Sequence, residues 1–130
     1  MNKFSIATPE QEVFIDITEQ VNAIVRTSSF EGSVCHVFCP HTTAGMTINE
    51  CADPYVVLDM KTALGEMIAD DNGWRHLEGN SPAHVKASLM GSSVIVPVVE
   101  GVLGLGRWQG IFFCEFDGPR TREVWVQFLS

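Results

Sequence analysis

Two segments near the C-terminal end of the sequence carry large apolar residues on both faces of what would be a β-strand. They are "WQGIFFCEF", residues 108–116, and "REVWVQFL", residues 122–129. Successive side chains of a strand point to opposite sides, so such strands must be covered on both sides. In a chain of 130 residues this predicts either a sheet covered on both sides or a face that meets a partner. The turn residues "DGPRT" between the two segments predict a β-hairpin.

The rest of the chain shows clear helix signals. Asp53-Pro54 predicts the start of a helix, with an acid as N-cap and proline as first residue, ending near Ala69. "SPAHVKASLMG", residues 81–91, predicts a helix that is capped by Ser81 and ended by Gly91. Asp16 followed by Glu19 resembles a third helix start, with an apolar stripe continuing to about Thr27.

Four further segments predict strands, namely "EVFIDIT", "SVCHVFC", "AGMTIN" and "SSVIVPVV". We expect "AGMTIN" to pair with the strand before it across a turn at His41, Thr42 and Thr43. The sum predicts an α+β fold, a single domain over residues 1–130. A mainly antiparallel sheet would carry two or three packed helices, and its two-faced strands favour an oligomer.

The charge of the chain limits its partners. Asp and Glu total 16 against 8 Lys and Arg, for a net charge of -8. This argues against nucleic acid and anionic membranes as partners, but a few local cations could still hold a small phosphorylated ligand. No apolar run reaches the roughly 18 residues of a membrane span, and the first residues lack the apolar core of a signal peptide. The four cysteines form no CxxC motif, and Cys35 and Cys39 on one predicted strand would be roughly 13 Å apart, too far for a disulfide, which predicts reduced cysteines and a cytoplasmic location.

Three histidines stand in polar or terminal positions where side chains could converge. His41 follows a strand, His76 lies in the loop "GWRHLEGN", and His84 lies in the first turn of a predicted helix. Three histidines with an open fourth position form a catalytic zinc site in many proteins. Scattered histidines are a weak signal, and each could equally be an ordinary surface residue.

Other polar residues have both structural and functional interpretations. Asp53 is explained as a helix cap, whereas Glu50 at the end of a strand has no structural explanation and could act as a general acid or base. The glycine-rich "LGRWQG" is explained most simply by turns and close packing, and in the functional interpretation it would allow Arg107 and Gln109 to approach a ligand. Arg120 could bind an anion or be solvated, and the helix that starts at Ser81 could hold phosphate with its free amides.

The sequence resembles the YjbQ family, also called UPF0047, along nearly its full length. The matching stretches are "FIDIT", "PHTTAGMTINECADP", "HLEGNSPAHVKASLMGSS", "VPVVEGVLGLGRWQGIFFCEFDGPR" and "REVWVQF". The resemblance implies a compact α+β unit assembled as a homotrimer. It also implies secondary thiamine-phosphate synthase activity, in which hydroxymethylpyrimidine diphosphate and thiazole phosphate are joined and diphosphate is released.

The resemblance also implies roles for individual residues in one pocket, built within a subunit or shared between subunits. Catalytic roles fall on His41, Glu50 and Gln109, and His41, His76 and His84 would hold either a divalent metal, zinc or magnesium, or the substrate phosphates. The expected substrate-binding residues are Thr42, Thr43, Asn49, Asn80, Ser81, Arg107 and Arg120. No organic cofactor is implied.

Three hypotheses therefore stand. The first is a thiamine-phosphate synthase-like transferase. The second is a metal-dependent hydrolase or lyase that acts on another phosphorylated metabolite in the same pocket. The third is a trimeric protein without catalysis that uses the same histidines to hold an ion or a ligand.

Overall fold

The computed structural model describes residues 1–28 and 34–129, and within them the chain forms eight strands and three helices. The strands are β1 (Asn2–Ala7), β2 (Val13–Asp16), β3 (Val34–Phe38), β4 (Ala44–Glu50), β5 (Ser93–Val99), β6 (Val102–Leu103), β7 (Gln109–Glu115) and β8 (Thr121–Leu129). The helices are α1 (Thr18–Thr27), α2 (Pro54–Met67) and α3 (Ser81–Met90). None of these helices is long and apolar enough to cross a membrane.

The strands form two antiparallel sheets. The larger sheet has the order β1-β8-β3-β5-β6, and the smaller has the order β2-β7-β4. Every paired strand runs antiparallel to its neighbour. The predicted α+β class with a mainly antiparallel arrangement is therefore confirmed.

The main core lies between the inner faces of the two sheets. The larger sheet contributes Val37 and Val126, the smaller contributes Phe113, and α1 adds Val21 and Val25. Each of these side chains is at least 95% buried, and burying one such side chain stabilises a fold by about 1.5–3 kcal/mol. Side chains alternate between the two faces of a strand, so every second side chain of β3, β7 and β8 points into the space between the sheets.

Strand β7 is also covered on its other face. Phe112 and Cys114 point away from the main core and pack against Leu64 of α2 and Ala87 of α3. The two-faced pattern of this strand is thereby satisfied within the chain. The outer face of β8 differs, because Trp125 is only partly buried and Leu129 is 46% exposed.

Two predicted strand pairings are wrong. Strand β4 does not pair with β3, and β7 and β8 do not form a hairpin, since in both cases the two strands lie in different sheets. Strand β3 already pairs with β5 on one edge and β8 on the other, so no edge is left for β4. After β3 and after β7, the chain instead crosses to the other sheet.

Of the predicted N-caps of α2 and α3, one is confirmed and one is wrong. Asp53 caps α2 by accepting a hydrogen bond from the backbone N–H of Tyr55 at 2.9 Å, which confirms the prediction, although α2 ends at Met67. Ser81 is not a cap but the first residue of α3, because Asn80 is the N-cap and its carbonyl accepts from Ala83 at 3.0 Å.

The other two helix signals also have definite outcomes. Asp16 accepts from the N–H of Thr18 at 3.0 Å, but it stands one residue before the N-cap position, which Ile17 occupies. Gly91 ends α3 with a φ of 93°, a left-handed conformation that favours glycine, as predicted.

Candidate functional site

The site is anchored by a buried ion pair between the two sheets. Arg122 of β8 and Glu115 of β7 are 4% and 0% exposed, and two hydrogen bonds join them, from Nε at 2.8 Å and from Nη2 at 2.5 Å. Nη2 also donates to the Thr43 hydroxyl at 2.8 Å, and the Thr8 hydroxyl donates to Glu115 at 2.7 Å. Thr8, Thr43 and the segment after Glu115 belong to three of the connections that cross between the sheets, those from β1 to β2, from β3 to β4 and from β7 to β8. The pair therefore holds these three connections together.

This network fixes the ionisation of Glu115. Burial alone would raise the pKa of its carboxyl group, but hydrogen bonds from Arg122, Thr8 and the N–H of Asp117 lower the pKa below its ordinary value. The carboxylate is therefore charged at neutral pH and balances Arg122. Within the described residues, Nη1 of Arg122 donates no hydrogen bond, so one nitrogen of a fixed guanidinium remains for a ligand.

A cavity of about 410 Å³ lies beside Arg122, and we call it the histidine cavity. This volume suits a small ligand. The residues that line it are Pro40, His41, Thr42, Thr43, His76, Glu78, Asn80, His84, Asp117, Arg120 and Arg122. All three predicted histidines and four predicted substrate-binding residues, Thr42, Thr43, Asn80 and Arg120, thus meet around one space.

His41 is held in a defined tautomer. Its Nε2 accepts a hydrogen bond from the backbone N–H of Glu123 at 2.9 Å. Partial burial and the nearby Arg122 charge lower the pKa of His41, so the imidazole is neutral at pH 7. A neutral imidazole whose Nε2 accepts must carry its proton on Nδ1, so His41 is a hydrogen-bond donor at that atom. A metal ion at Nε2 would have to displace the Glu123 bond.

The imidazole rings of His76 and His84 are in contact with each other. Their ring centroids are 5.1 Å apart and the rings are perpendicular. His84 Nε2 is buried without a hydrogen-bond partner among the described residues, and so is Oδ1 of Asn80, one helical turn before it. Buried polar atoms in proteins are almost always hydrogen bonded, so these two atoms favour a ligand or water in the cavity.

The predicted three-histidine metal site is not assembled in the described residues. Over residues 1–28 and 34–129, no three side chains of His, Cys, Asp or Glu lie close enough to share a metal ion. The hydrogen bond that occupies Nε2 of His41 gives the physical reason, since it directs that nitrogen to the backbone of β8.

Arg120 and Asn80 are positioned by one carboxylate. Asp117 accepts from Nδ2 of Asn80 at 2.8 Å and from Nη2 of Arg120 at 3.0 Å. Arg120 also donates from Nε to the Asp117 carbonyl at 2.8 Å, while its side chain stays 50% exposed. Asp117 therefore orients a second guanidinium at the mouth of the cavity.

The remaining predicted residues lie elsewhere. Glu50 and Gln109 face each other at the far end of the β4–β7 ladder, six residues from the pairing of Ala44 with Glu115. Six strand residues span about 20 Å, so these two side chains do not line the histidine cavity of their own chain. Asn49 and Arg107 flank them and are exposed, and Asn49 accepts from the N–H of Glu50. Nor is Ser81 among the residues that line the cavity.

Comparison with known proteins identifies the family. A family model described as "UPF0047 protein YjbQ-like" matches residues 2–130. The chain belongs to the YjbQ-like UPF0047 family. It is similar to a UPF0047 protein of Methanocaldococcus jannaschii, with 44% identity over 98% of this chain and 93% of the relative. It is equally similar to the UPF0047 protein YugU of Bacillus subtilis, with 44% identity over 100% of this chain and 99% of that protein.

Solved structures of UPF0047 proteins share the fold. The crystal structure of a YjbQ/UPF0047 protein from Clostridium acetobutylicum matches with a TM-score of 0.96 and 48% identity, over 99% of this chain and 100% of that one. A YjbQ-like protein from Sulfolobus solfataricus matches with a TM-score of 0.93 and 34% identity, over 99% and 95% of the two chains. The fold and the family are thereby established.

Four charged residues of the site in this UPF0047 chain were not predicted from the sequence, namely Glu78, Glu115, Asp117 and Arg122. A signal existed for two of them. Arg122 shares the inward parity of Val124 and Val126, and Glu115 shares that of Ile111 and Phe113. A charged residue at an inward strand position requires a buried partner, and that requirement points to the pair.

Proposed function

We propose that the protein is an enzyme that binds a small phosphorylated metabolite in the histidine cavity. The observation that carries this proposal is the guanidinium of Arg122, which a buried pair fixes while Nη1 remains for a ligand. Arg120 lines the same cavity and can reach the same anion. Guanidinium groups bind phosphate through charge-assisted hydrogen bonds, and a preorganised donor stabilises charge that develops during a reaction.

The specific reaction that we propose is the thiamine-phosphate synthase type implied by the family resemblance. When diphosphate leaves the pyrimidine, negative charge grows on the departing oxygen atoms. Arg120 and Arg122 would stabilise that charge, and the N–H of His41 would donate a further hydrogen bond to it. His41 and Arg120 lie on two connections between the sheets and Arg122 lies on β8, and the Glu115–Arg122 pair holds these three segments together. The three donors are therefore fixed before the substrate arrives.

We propose further that Glu50 and Gln109 serve the cavity of a neighbouring copy in a homotrimer. A cyclic trimer joins two different surfaces of adjacent subunits, so opposite ends of the β4–β7 ladder can meet across an interface. Within one chain these ends stay about 20 Å apart. The composite site would combine the positive groups of one subunit with the carboxylate of the next.

The outer face of the larger sheet supports such an assembly. Phe38 and Trp125 lie side by side on it with ring centroids 5.7 Å apart, and Ile95 and Leu129 are 61% and 46% exposed. His36 and Gln127 lie between these apolar residues, and an exposed face that mixes large apolar and polar side chains is typical of a protein–protein interface. The four cysteines are free and three of them are buried, which supports the cytoplasm as the place where this assembly works.

A metal-dependent reaction is the second candidate, and the pair His76–His84 favours it. Two imidazoles on one tetrahedral zinc ion place their ring centroids about 5 Å apart, given zinc–nitrogen bonds of about 2.1 Å. The observed 5.1 Å separation and the unpartnered Nε2 of His84 fit two ligands of such an ion. A bound divalent metal would supply Lewis-acid stabilisation of phosphate oxygens.

The test compares two arginines on the same protein. Arg120→Gln should weaken diphosphate binding, measured by calorimetry, at least tenfold and lower thiamine-phosphate formation by a similar factor. Arg26→Gln is the matched control, because Arg26 lies on α1, pairs with Glu19 at 3.8 Å and does not line the cavity. Unchanged diphosphate affinity in Arg120→Gln would contradict the proposed site. Diphosphate binding without turnover of the two substrates would retain the site and reject the reaction.

A further inference from the structure

Lys86 is a charged side chain that the histidine cavity does not use. It stands two residues after His84 on α3, so the two side chains leave the helix about 200° apart. The Lys86 side chain is only 4% exposed, and its Nζ donates to Oε2 of Glu12 at 2.6 Å. A lysine this deeply buried is uncommon in proteins.

The hydrogen bonds of Lys86 are incomplete. An ammonium group carries three N–H donors, and only the bond to Glu12 is found among the described residues. Lys86 lines a second cavity of about 400 Å³, which we call the lysine trough. The trough is lined by Glu10, Gln11, Glu12, Lys61, Gly65, Asp70 and Lys86. Two donors of a buried ammonium therefore have no protein acceptor among the described residues, beside a cavity that Lys86 lines.

The rim of the trough carries an excess of negative charge. The pair Lys86–Glu12 is internally balanced, which leaves Glu10 and Asp70 against Lys61. None of these three side chains forms an ion pair within the described residues. A free anion would meet two unpaired carboxylates, whereas a cation would be attracted by them.

We propose that the lysine trough is a second ligand site, for a small protonated amine that also carries a hydroxyl or carbonyl oxygen. The oxygen accepts from Lys86, and the ammonium group lies between Glu10 and Asp70. An amine without the oxygen leaves the Lys86 donors unsatisfied. A neutral alcohol carries no charge for the carboxylates of Glu10 and Asp70 to attract. The site is separate from the histidine cavity and does not depend on the function proposed for it.

The first experiment uses ethanolamine as the probe, with binding followed by NMR titration at fixed ionic strength. Ethylamine, which lacks the oxygen, and ethylene glycol, which lacks the charge, are the matched controls. We expect ethanolamine to bind at least fivefold more tightly than either. Equal binding of ethylamine would overturn the role of Lys86, and the absence of ethanolamine binding would overturn the site.

Variants localise the binding. The double change Glu10→Gln with Asp70→Asn affects two exposed side chains, so it leaves the fold intact and should weaken ethanolamine at least tenfold. His41→Ala should bind ethanolamine like the parent protein. Lys86→Met should lose binding, and the rim variant decides the matter if Lys86→Met does not fold. Parent-like affinity in the rim variant would refute the proposal.

Discussion

The two ends of the β4–β7 ladder are built differently although they belong to the same pair of strands. At one end Ala44 pairs with Glu115, whose carboxylate accepts five hydrogen bonds at full burial. At the other end Glu50 pairs with Gln109, and the neighbouring Asn49 is exposed. We call the end at Glu115, where the carboxylate lies in a closed network, the closed end. We call the end at Glu50 and Gln109, which presents its polar groups at the surface, the open end.

The difference separates two ways in which a carboxylate can serve a site. Glu115 has a structural role, because its bonds fix Arg122 and three of the connections that cross between the sheets. Glu50 makes no side-chain hydrogen bond or ion pair within the described residues, so its contribution to stability is small. A residue of the first kind supports a site, whereas one of the second kind is available for chemistry.

The largest expected effect comes from breaking the closed end. Arg122→Met leaves Glu115 buried without its counter-charge, and we expect the free energy of unfolding to fall by about 3–5 kcal/mol. Urea denaturation measures it. Arg120→Met is the matched control, because its ion pair is half exposed and should be worth less than about 1 kcal/mol. Equal losses in the two variants would show that burial of the pair does not matter.

Acid should lower the stability that the Glu115 end of the ladder contributes. The pKa of Glu115 is lower in the folded protein than its ordinary value of 4.5, so the unfolded chain binds the proton more readily. The stability that this carboxylate contributes is full above pH 4.5 and is lost as the pH falls through the lower, folded pKa. Unfolding followed from pH 7 to pH 3 should show this decline, and the double variant Glu115→Gln with Arg122→Met should show less of it.

The open end should respond in activity and not in stability. We expect Glu50→Gln to keep its unfolding midpoint and to lose about 100-fold in turnover, or about 2.7 kcal/mol of transition-state stabilisation. Glu66→Gln, an exposed change on α2, is the control for general charge effects. Normal turnover in Glu50→Gln would remove Glu50 from the site. Mixing inactive His41→Ala and Glu50→Gln chains should restore some activity if neighbouring subunits share a site.

The smallest expected effect concerns the helix that begins beside the open end. Asp53→Ala removes the cap that binds the N–H of Tyr55, at a cost of about 1 kcal/mol. Asp59→Ala lies within the same helix, has no capping role, and should change stability by less than about 0.5 kcal/mol. Thermal unfolding compares them. A turnover loss in Asp53→Ala beyond its stability loss would show that the helix start positions Glu50.

Local features of the fold could be predicted from the sequence. Asp53-Pro54 and Gly91 mark helix ends because capping and left-handed geometry depend on neighbouring residues. Strand partners could not be predicted in this way. The turn residues of "DGPRT" are compatible with a hairpin, but the packing of two sheets sends β8 to a different layer from β7.

The candidate site was predictable only in part for the same reason. His41, His76 and His84 come from separate segments, and the crossings between sheets bring them together. Glu50 and Gln109 were expected in the same pocket, yet the extended ladder holds them at its far end. Sequence motifs place Glu50 and Gln109 in one pocket with the histidines, but the length of β4 and β7 keeps them apart within one chain.

Strand β8 has a consequence for how the chain matures on the ribosome. It is the last strand in the sequence, yet it lies between β1 and β3 and pairs with both. The larger sheet therefore cannot close until residues 121–129 have left the exit tunnel, so β1 has no partner until the whole segment from β2 to β8 has been synthesised. Arg122 arrives with β8, so the histidine cavity is completed in the same late step.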